Sequence, residues 1–224
     1  RLDVLQPSSP ESHFVRAEGP HAKSDDAVEF AAIAGLEYAS RPVRAVGVDE
    51  TGEETALGDL ARHAVLARLG ASVTPGGILS LEVNVPIALF VNGEDDRPIT
   101  YAGEQAIPAQ AEAGIGDPRF GVHGRLLDTP EIDVIAGGRL WAPVGSQSAF
   151  LSDRRLRGEI DLGAAGEVGS LLYGATIAVA PGFFAGRDGD RIAASLAAHV
   201  LPISAFSLGI EPSLVLLTDE RAED

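Results

Sequence analysis

Several residue types are missing or scarce in this chain, and each shortage excludes a class of protein. Cysteine is absent, which excludes disulfides and thiolate chemistry. Hydrophobic residues make up 45% of the sequence, but no apolar run reaches the roughly 18 residues that a transmembrane helix needs. Lysine and arginine number 17 against 33 aspartates and glutamates. Phosphate binding needs clustered positive charge, so this balance argues against nucleic acid as a partner.

Recognisable catalytic motifs are missing as well. The sequence has no Gly-x-Ser-x-Gly elbow, no phosphate-binding glycine loop and no His-Glu-x-x-His pair. The five histidines are isolated in the sequence, a pattern more typical of structural residues than of ligands. Acidic residues at 92–96 and 186–191 are suited to calcium, but solvated loop tips explain them better. We therefore expect no enzymatic activity, no cofactor and no metal site.

The clearest positive signal is the stretch 79–90, LSLEVNVPIALF. From Leu79 to Leu89 every second residue is aliphatic, and neighbouring side chains on a strand point to opposite faces. The other face carries Ser80, Glu82 and further polar or small residues. The stretch is also about as long as a tilted strand that crosses a bilayer, roughly 9–11 residues. An apolar outer face and a charged inner face together predict a transmembrane β-barrel strand.

Nine stretches of the chain alternate in this way, and the loops between them are alternately long and short. Short periplasmic turns and long extracellular loops are typical of outer-membrane barrels. The sequence therefore predicts an all-β, antiparallel up-and-down (meander) transmembrane β-barrel, with the acidic loops 43–59 and 91–113 outside the cell. The predicted strands are 28–40, 61–73, 79–90, 116–126, 132–142, 156–165, 171–180, 192–201 and 206–217.

The segments that flank the strands define three regions. Residues 1–26 are polar and rich in proline, and they predict an N-terminal polar arm with a short strand near 13–16. Residues 27–219 form the predicted β-barrel, and residues 220–224 an acidic loop or tail. Closed bacterial barrels normally have an even number of strands. Nine strands therefore predict an incomplete barrel, with an open edge for another chain or for missing downstream strands.

Charged residues on the predicted inner face are the candidate functional set. They are suited to a pore lining that selects solutes by charge and size. They are also suited to a closed lumen, in which carboxylates and guanidiniums pair so that no buried charge is left alone. Acidic and basic residues are nearly balanced, so we expect the paired, largely closed lumen. The predicted lumen-lining residues are Glu29, Glu37, Arg62, Arg68, Glu82, Asp117, Arg119, His123, Arg125, Arg139, Glu159, Asp161 and Glu211.

Five sequence stretches resemble a known family. They are LDVLQPSSPESHFVRAEGP at 2–20, GLEYASRPV at 35–43, LEVNVPIALFVNGEDD at 81–96, GIGDPRFGVHGRLL at 114–127 and RLWAPVGS at 139–146. With the strand pattern, they make the chain similar to the N-terminal β-barrel of OmpA-family outer-membrane proteins from myxobacteria and their relatives. The family's tighter form of the last stretch reads Pro-Thr-Gly, where this chain has Pro-Val-Gly.

The resemblance implies a location in the bacterial outer membrane, with membrane lipid and lipopolysaccharide as partners. It implies a structural membrane anchor or a narrow porin-like channel. The calcium-binding repeats and peptidoglycan-binding domain that follow the barrel in that family are not in this sequence, so cell-wall tethering is not implied here. Aromatic residues make up only 5% of the chain, fewer than interfacial girdles require. The alternative is a soluble secreted β-sandwich binding module, with the apolar faces packed between two sheets.

Overall fold

The structure is a computed structural model that contains thirteen β-strands in its described residues. These residues are 28–48, 54–93, 99–101, 104–106, 112–129, 131–149, 151–152, 154–181, 190–203 and 206–217. The predicted arm 1–26 and tail 220–224 lie outside them. The strands are β1 (Val28–Val48), β2 (Glu54–Pro75), β3 (Leu79–Asn92), β4 (Ile99–Tyr101), β5 (Glu104–Ala106), β6 (Glu112–Ile115), β7 (Arg119–Asp128), β8 (Asp133–Trp141), β9 (Arg157–Val168), β10 (Leu171–Ala180), β11 (Arg191–Ile203), β12 (Phe206–Ile210) and β13 (Ser213–Leu217).

Eleven of these strands form one antiparallel sheet. Its order is β1-β2-β3-β7-β8-β9-β10-β11-β12, with β6 also beside β3 and β13 also beside β11. β6 and β7 pair with successive halves of β3, and β12 and β13 pair with successive halves of β11. Each of these two pairs of short strands therefore occupies one strand position in the sheet. The sheet is an antiparallel meander of nine strand positions that curves into a half-barrel, which confirms the predicted all-β meander.

Proline accounts for both interrupted positions. Pro118 lies between β6 and β7, and Pro212 lies between β12 and β13. Proline has no N–H to donate to a neighbouring strand, so the ladder breaks at these points. The chain nevertheless stays attached to the sheet on both sides of each break. The amide of Gly116 donates to the carbonyl of Pro86 at 2.8 Å, and the amide of Leu196 donates to that of Pro212 at 3.0 Å.

Two segments predicted as long loops contain strands, so those predictions are wrong in part. β1 continues to Val48 and β2 begins at Glu54, which leaves little of the predicted loop 43–59. Register shifts between Ser40 and Val43 and beyond mark bulges, and each bulge changes which residues face inward. The regular alternation is lost there, which is why the periodicity ended early. The predicted loop 91–113 likewise contains the β4–β5 hairpin and the first residues of β6.

The sheet buries its polar face and exposes its apolar face, which is the reverse of what a soluble sheet protein does. On β3 the side chains of Ser80, Glu82 and Asn84 are buried, whereas Leu79 and Leu81 are exposed. The concave face is thus polar and the convex face apolar, as the alternation predicted. No second sheet packs on the convex face within the described residues, whose only other sheet is the small β4–β5 hairpin. The architecture is a half-barrel and not two packed sheets.

The described strands leave both edges of the half-barrel unpaired. β1 bonds only to β2, and β12 and β13 bond only to β11. The prediction that the first and last strands do not pair with each other is therefore confirmed for residues 28–217 as far as they are described. The same part of the chain contains no helix with the length and apolar character needed to cross a bilayer.

Candidate functional site

The concave face carries a cluster of paired charges, and the strand register explains how its first row forms. Glu82 of β3 lies opposite Gly121 of β7, Gly121 lies opposite Arg139 of β8, and Arg139 lies opposite Glu159 of β9. Glu82 Oε1 nevertheless lies only 3.3 Å from Arg139 Nε, across the intervening strand. A Cβ atom on Gly121 would lie 2.5 Å from Glu82 Cγ. Glycine at this position therefore lets the glutamate lie flat and reach the arginine.

A second row, one step along the strands, repeats this arrangement. His123 of β7 lies opposite Gly137 of β8, which lies opposite Asp161 of β9. His123 Nε2 is 3.4 Å from Asp161 Oδ2, and the same carboxylate oxygen accepts a 3.0 Å hydrogen bond from Arg139 Nη1. A Cβ atom on Gly137 would collide with Cδ2 of the imidazole and lie 2.7 Å from the carbonyl oxygen of Val122. Both rows thus depend on a glycine beneath a long polar side chain.

Two further arginines complete what we call the central cluster. Arg119 Nη2 is 3.2 Å from Glu82 Oε1, and Arg191 Nη1 is 3.5 Å from Glu159 Oε2. The arginines match the carboxylates in number, and His123 is the seventh member. Matched, mutually bonded charges avoid the large cost of an isolated buried ion. The central cluster consists of Glu82, Arg119, His123, Arg139, Glu159, Asp161 and Arg191.

Asp117 attaches the loop between β8 and β9 to the concave face. This loop, residues 142–156, is called the inner loop below. Asp117 is fully buried; its Oδ1 accepts a hydrogen bond from the amide of Gly145 at 2.9 Å, and its Oδ2 accepts one from Arg157 Nη2 at 3.0 Å. The guanidinium of Arg157 also lies 5.4 Å from the ring centroid of Trp141. Asp117 therefore positions a loop and a neighbouring strand, although it was predicted only as a lumen-lining residue.

The inner loop contributes apolar side chains to the concave side. Ala149 and Leu151 are almost completely buried against small and aliphatic residues of β2 and β3. The amide of Ser146 donates to the carbonyl of Ile115 at 2.8 Å, which fastens the loop to β6. The loop thus covers the concave face beside the charges. The other members of this apolar cluster are Ala61, Ala64, Leu66, Ala88 and Val91.

The remaining predicted lumen residues lie outside the central cluster. Arg68 donates to Glu37 through Nε at 2.7 Å and through Nη2 at 3.3 Å, so these two form a separate bidentate pair. Glu211 lies 2.8 Å from His199 Nε2. Glu29 is half-buried on β1. Arg125 lies at the end of β7 near the short β2–β3 turn, where its Nη1 contacts Asp128.

Arg62 is exposed, so the structure does not bring it to the paired charges. Ala61 and Ala64 on either side of it are buried, and this stretch of β2 faces the register shifts in β1. Strict alternation cannot be extended through a bulge, which explains the difference from the predicted position.

Sequence reasoning also missed members of the site. Arg157 lies on the same face of β9 as Glu159 and Asp161. The alternation of that strand therefore already indicated that its side chain faces inward. Arg191 is the first residue of β11, just before the predicted strand start, and it reaches Glu159 from there. His199 shares its face of β11 with Arg191 and with the small residues Ala193, Ser195 and Ala197. Because the predicted strand begins at residue 192, His199 was the one polar residue with a long side chain on that face, which gave little signal. The described residues contain no group of three or more histidines and carboxylates arranged to hold a metal ion.

Comparisons with protein-family models, with characterised proteins and with solved structures give no match to this chain. The resemblance to OmpA-family barrels therefore stays a prediction. Chemically, the concave face offers paired and buried charges with an apolar loop packed beside them. Such an arrangement stabilises a polar interior.

Proposed function

We propose that this chain forms wall strands of a bacterial outer-membrane β-barrel and serves as a non-enzymatic structural anchor. The observation that carries the proposal is the inverted burial of the sheet: charges inside, aliphatic side chains outside. Soluble monomers rarely expose contiguous apolar patches beyond a few hundred Å². Here every strand position of the sheet exposes at least one large apolar side chain, including Phe30, Leu69, Leu81, Phe120, Leu140, Ile160, Ile177, Leu196, Ile210 and Leu214.

Strand length and backbone bonding support the same proposal. β10 contains 10 residues, which matches the roughly 9–11 tilted residues that cross a bilayer, and β3 with 14 residues is longer than that span requires. All backbone polar groups must be satisfied within the hydrocarbon region, and a paired antiparallel wall does this between its strands. Lipid acyl chains are therefore the environment that suits the convex face, with lipopolysaccharide in the outer leaflet.

The paired charges favour an anchor over a channel. Arg139 contacts Glu82, Glu159 and Asp161 at 3.0–3.5 Å, so these charges bind each other instead of facing an open aqueous path. The inner loop packs beside them and fills part of the concave side. A conducting pore of this wall would need those ion pairs to separate, which is costly in a buried setting.

The test of the membrane location is a pair of matched valine-to-arginine substitutions. Val83 lies on the convex face in the middle of β3, whereas Val144 is 73% exposed in the inner loop. After refolding into lipid vesicles, Val83→Arg is expected to lower the free energy of unfolding by about 2–4 kcal/mol relative to wild type. Val144→Arg is expected to change it by less than about 0.5 kcal/mol. Equal effects of the two variants, or stable monomers in water without detergent, would contradict the proposal.

Recordings in planar bilayers separate the anchor from the channel. Folded, inserted protein is expected to remain electrically silent. Steady single-channel openings that change when Arg139 is replaced by methionine would assign a conducting lumen instead. The variant matters because it removes the arginine that holds the carboxylates together.

A further inference from the structure

A small polar group lies on the otherwise apolar convex face, at the end of β1 and β2 that is opposite the short β2–β3 turn. This end is called the outer end below. The hydroxyl oxygen of Tyr38 lies 2.7 Å from His63 Nδ1, and the two rings stack with their centroids 6.0 Å apart. Tyr38 is 63% exposed and lies on the same face of β1 as Phe30 and Leu36. His63, which contacts it, therefore also lies on the convex face.

Arg62 lies on the convex face beside His63. Ala61 and Ala64 both belong to the apolar cluster on the concave side and have no exposed surface. A bulge lets two successive residues lie on one face of a strand, so the two residues between these alanines both lie on the other face. The Arg62 side chain is exposed, and it makes no hydrogen bond or ion pair with a described residue. Its five N–H donors are therefore available to a ligand.

The charges around Arg62 leave its own charge uncompensated. Arg41, at the outer end of β1, is paired, because its Nε lies 3.3 Å from Asp59 Oδ2. Between the short turn and the outer end, the convex positions of β1, β2 and β3 carry no charged side chain. Arg62 is thus an unpaired positive charge at the boundary of an apolar surface.

The strand register gives the depth of this polar group in a bilayer. Val83, in the middle of the apolar face of β3, lies opposite Ala71 of β2, and eight residues separate position 71 from position 63. At about 3.3 Å per residue and a tilt of about 45°, that segment rises roughly 19 Å along the membrane normal. The hydrocarbon ends roughly 15 Å from the midplane, and the headgroups extend to roughly 22 Å. Arg62 and His63 therefore lie at the depth of lipid headgroups in a bilayer centred on Val83.

We infer that Arg62 and His63 bind the phosphate group of an anionic membrane lipid. The inference rests on the proposed function, because it requires lipid against the convex face. A guanidinium forms bidentate, charge-assisted hydrogen bonds with phosphate. Donation from the Tyr38 hydroxyl to Nδ1 leaves the proton of a neutral imidazole on Nε2, which donates to the same phosphate. The acyl chains of that lipid lie on the exposed side chains of Leu36 and Leu69, on the hydrocarbon side of the site.

The test uses native mass spectrometry to measure how the full chain, folded in dodecyl maltoside micelles, retains single lipids. This detergent contains no phosphate. Dioleoyl phosphatidic acid is compared with dioleoylglycerol, which has the same acyl chains without the phosphate, and with sodium phosphate. The wild type is expected to retain phosphatidic acid in preference to both. A basic residue near an anionic lipid surface contributes about 5-fold in affinity, so Arg62→Met should weaken the retention of phosphatidic acid by about that factor.

Arg154→Met is the matched control, because it removes an exposed arginine at the outer end, but from the inner loop. It should retain the wild-type affinity. Equal retention of phosphatidic acid and dioleoylglycerol would overturn the inference, as would equal losses in Arg62→Met and Arg154→Met. Free phosphate bound as tightly as phosphatidic acid would also overturn it, since the ligand would then be an ion and not a lipid. If Arg62→Met does not fold, the wild-type comparison and His63→Ala decide the question.

The vesicle experiment with Val83→Arg separates this inference from the proposed function. A wild-type protein that inserts into vesicles but does not prefer phosphatidic acid overturns the inference alone. A protein that stays monomeric in water without detergent contradicts the proposed function, and the lipid site falls with it.

Discussion

Replacing Gly137 by alanine should destabilise the half-barrel, whereas the same change at its neighbour Gly138 should not. On the concave face a methyl group at Gly137 would collide with the His123 imidazole and lie 2.7 Å from the carbonyl oxygen of Val122. On the convex face a methyl group at Gly138 would lie 3.4 Å from its nearest neighbour, the carbonyl oxygen of Glu159. The two substitutions thus share their chemistry and differ in the face that receives the methyl group.

The magnitude follows from two opposing terms. Replacing glycine in a strand removes backbone entropy from the unfolded chain and stabilises both variants by roughly 0.5–1 kcal/mol. Overpacking against a buried ring and a backbone carbonyl costs about 1–3 kcal/mol, and only Gly137→Ala incurs it. The difference between the two variants in free energy of unfolding should therefore be about 1–3 kcal/mol.

Equilibrium urea titration of both variants measures this difference. The denaturant dependence should stay close to that of the wild type, since the same surface is exposed on unfolding. Combining Gly137→Ala with His123→Ala should cost less than the sum of the two single changes, because the clash with the ring is gone. Equal midpoints for Gly137→Ala and Gly138→Ala, or strict additivity in the double variant, would refute the role assigned to this glycine.

Three further substitutions test other contacts of the concave face and the turns. Arg139→Met should lower the free energy of unfolding by about 3–5 kcal/mol, because it leaves the buried carboxylate of Asp161 without its arginine and removes one partner each from Glu82 and Glu159. Arg62→Met at the exposed site should change it little; urea titration compares the two variants, and similar losses would contradict the buried cluster. Asp117→Asn should weaken the bond to Arg157 and speed proteolysis within the inner loop, and unchanged cleavage would count against the attachment. Tyr173→Phe removes a 2.6 Å hydrogen bond to a backbone carbonyl before β8 and should cost about 0.5–1.5 kcal/mol; a midpoint equal to that of the wild type would show that this bond adds nothing.

The strands and their faces could be predicted because alternation is a local property. Every second residue from Leu79 to Leu89 faces outward, whereas Ser80, Glu82 and Asn84 between them face inward, as their spacing alone indicated. The same reasoning failed where the register shifts. Around Arg62 and along the predicted loop 43–59, bulges change the phase, and nothing in a single strand's spacing reveals a bulge opposite it.

The pairing of charges could not be predicted from the sequence, for a different reason. Which carboxylate meets Arg139 depends on three neighbouring strands and on glycine at the position between them. The sequence shows Gly121 and Gly137 only as two of 26 glycines. Their role appears once the register places Glu82 and His123 directly across from them. The inner loop was likewise predicted only as a loop, because its contacts with β2 and β3 are long-range.

The nine-position meander has a consequence for how its edges can be joined. Each neighbour in the sheet runs antiparallel to the last, so after eight reversals the outermost strands β1 and β12 point in the same direction. Joining them directly would create a parallel seam. An entirely antiparallel closure requires an odd number of additional strands, whichever chain supplies them. The total would then be even, as it is in bacterial outer-membrane barrels.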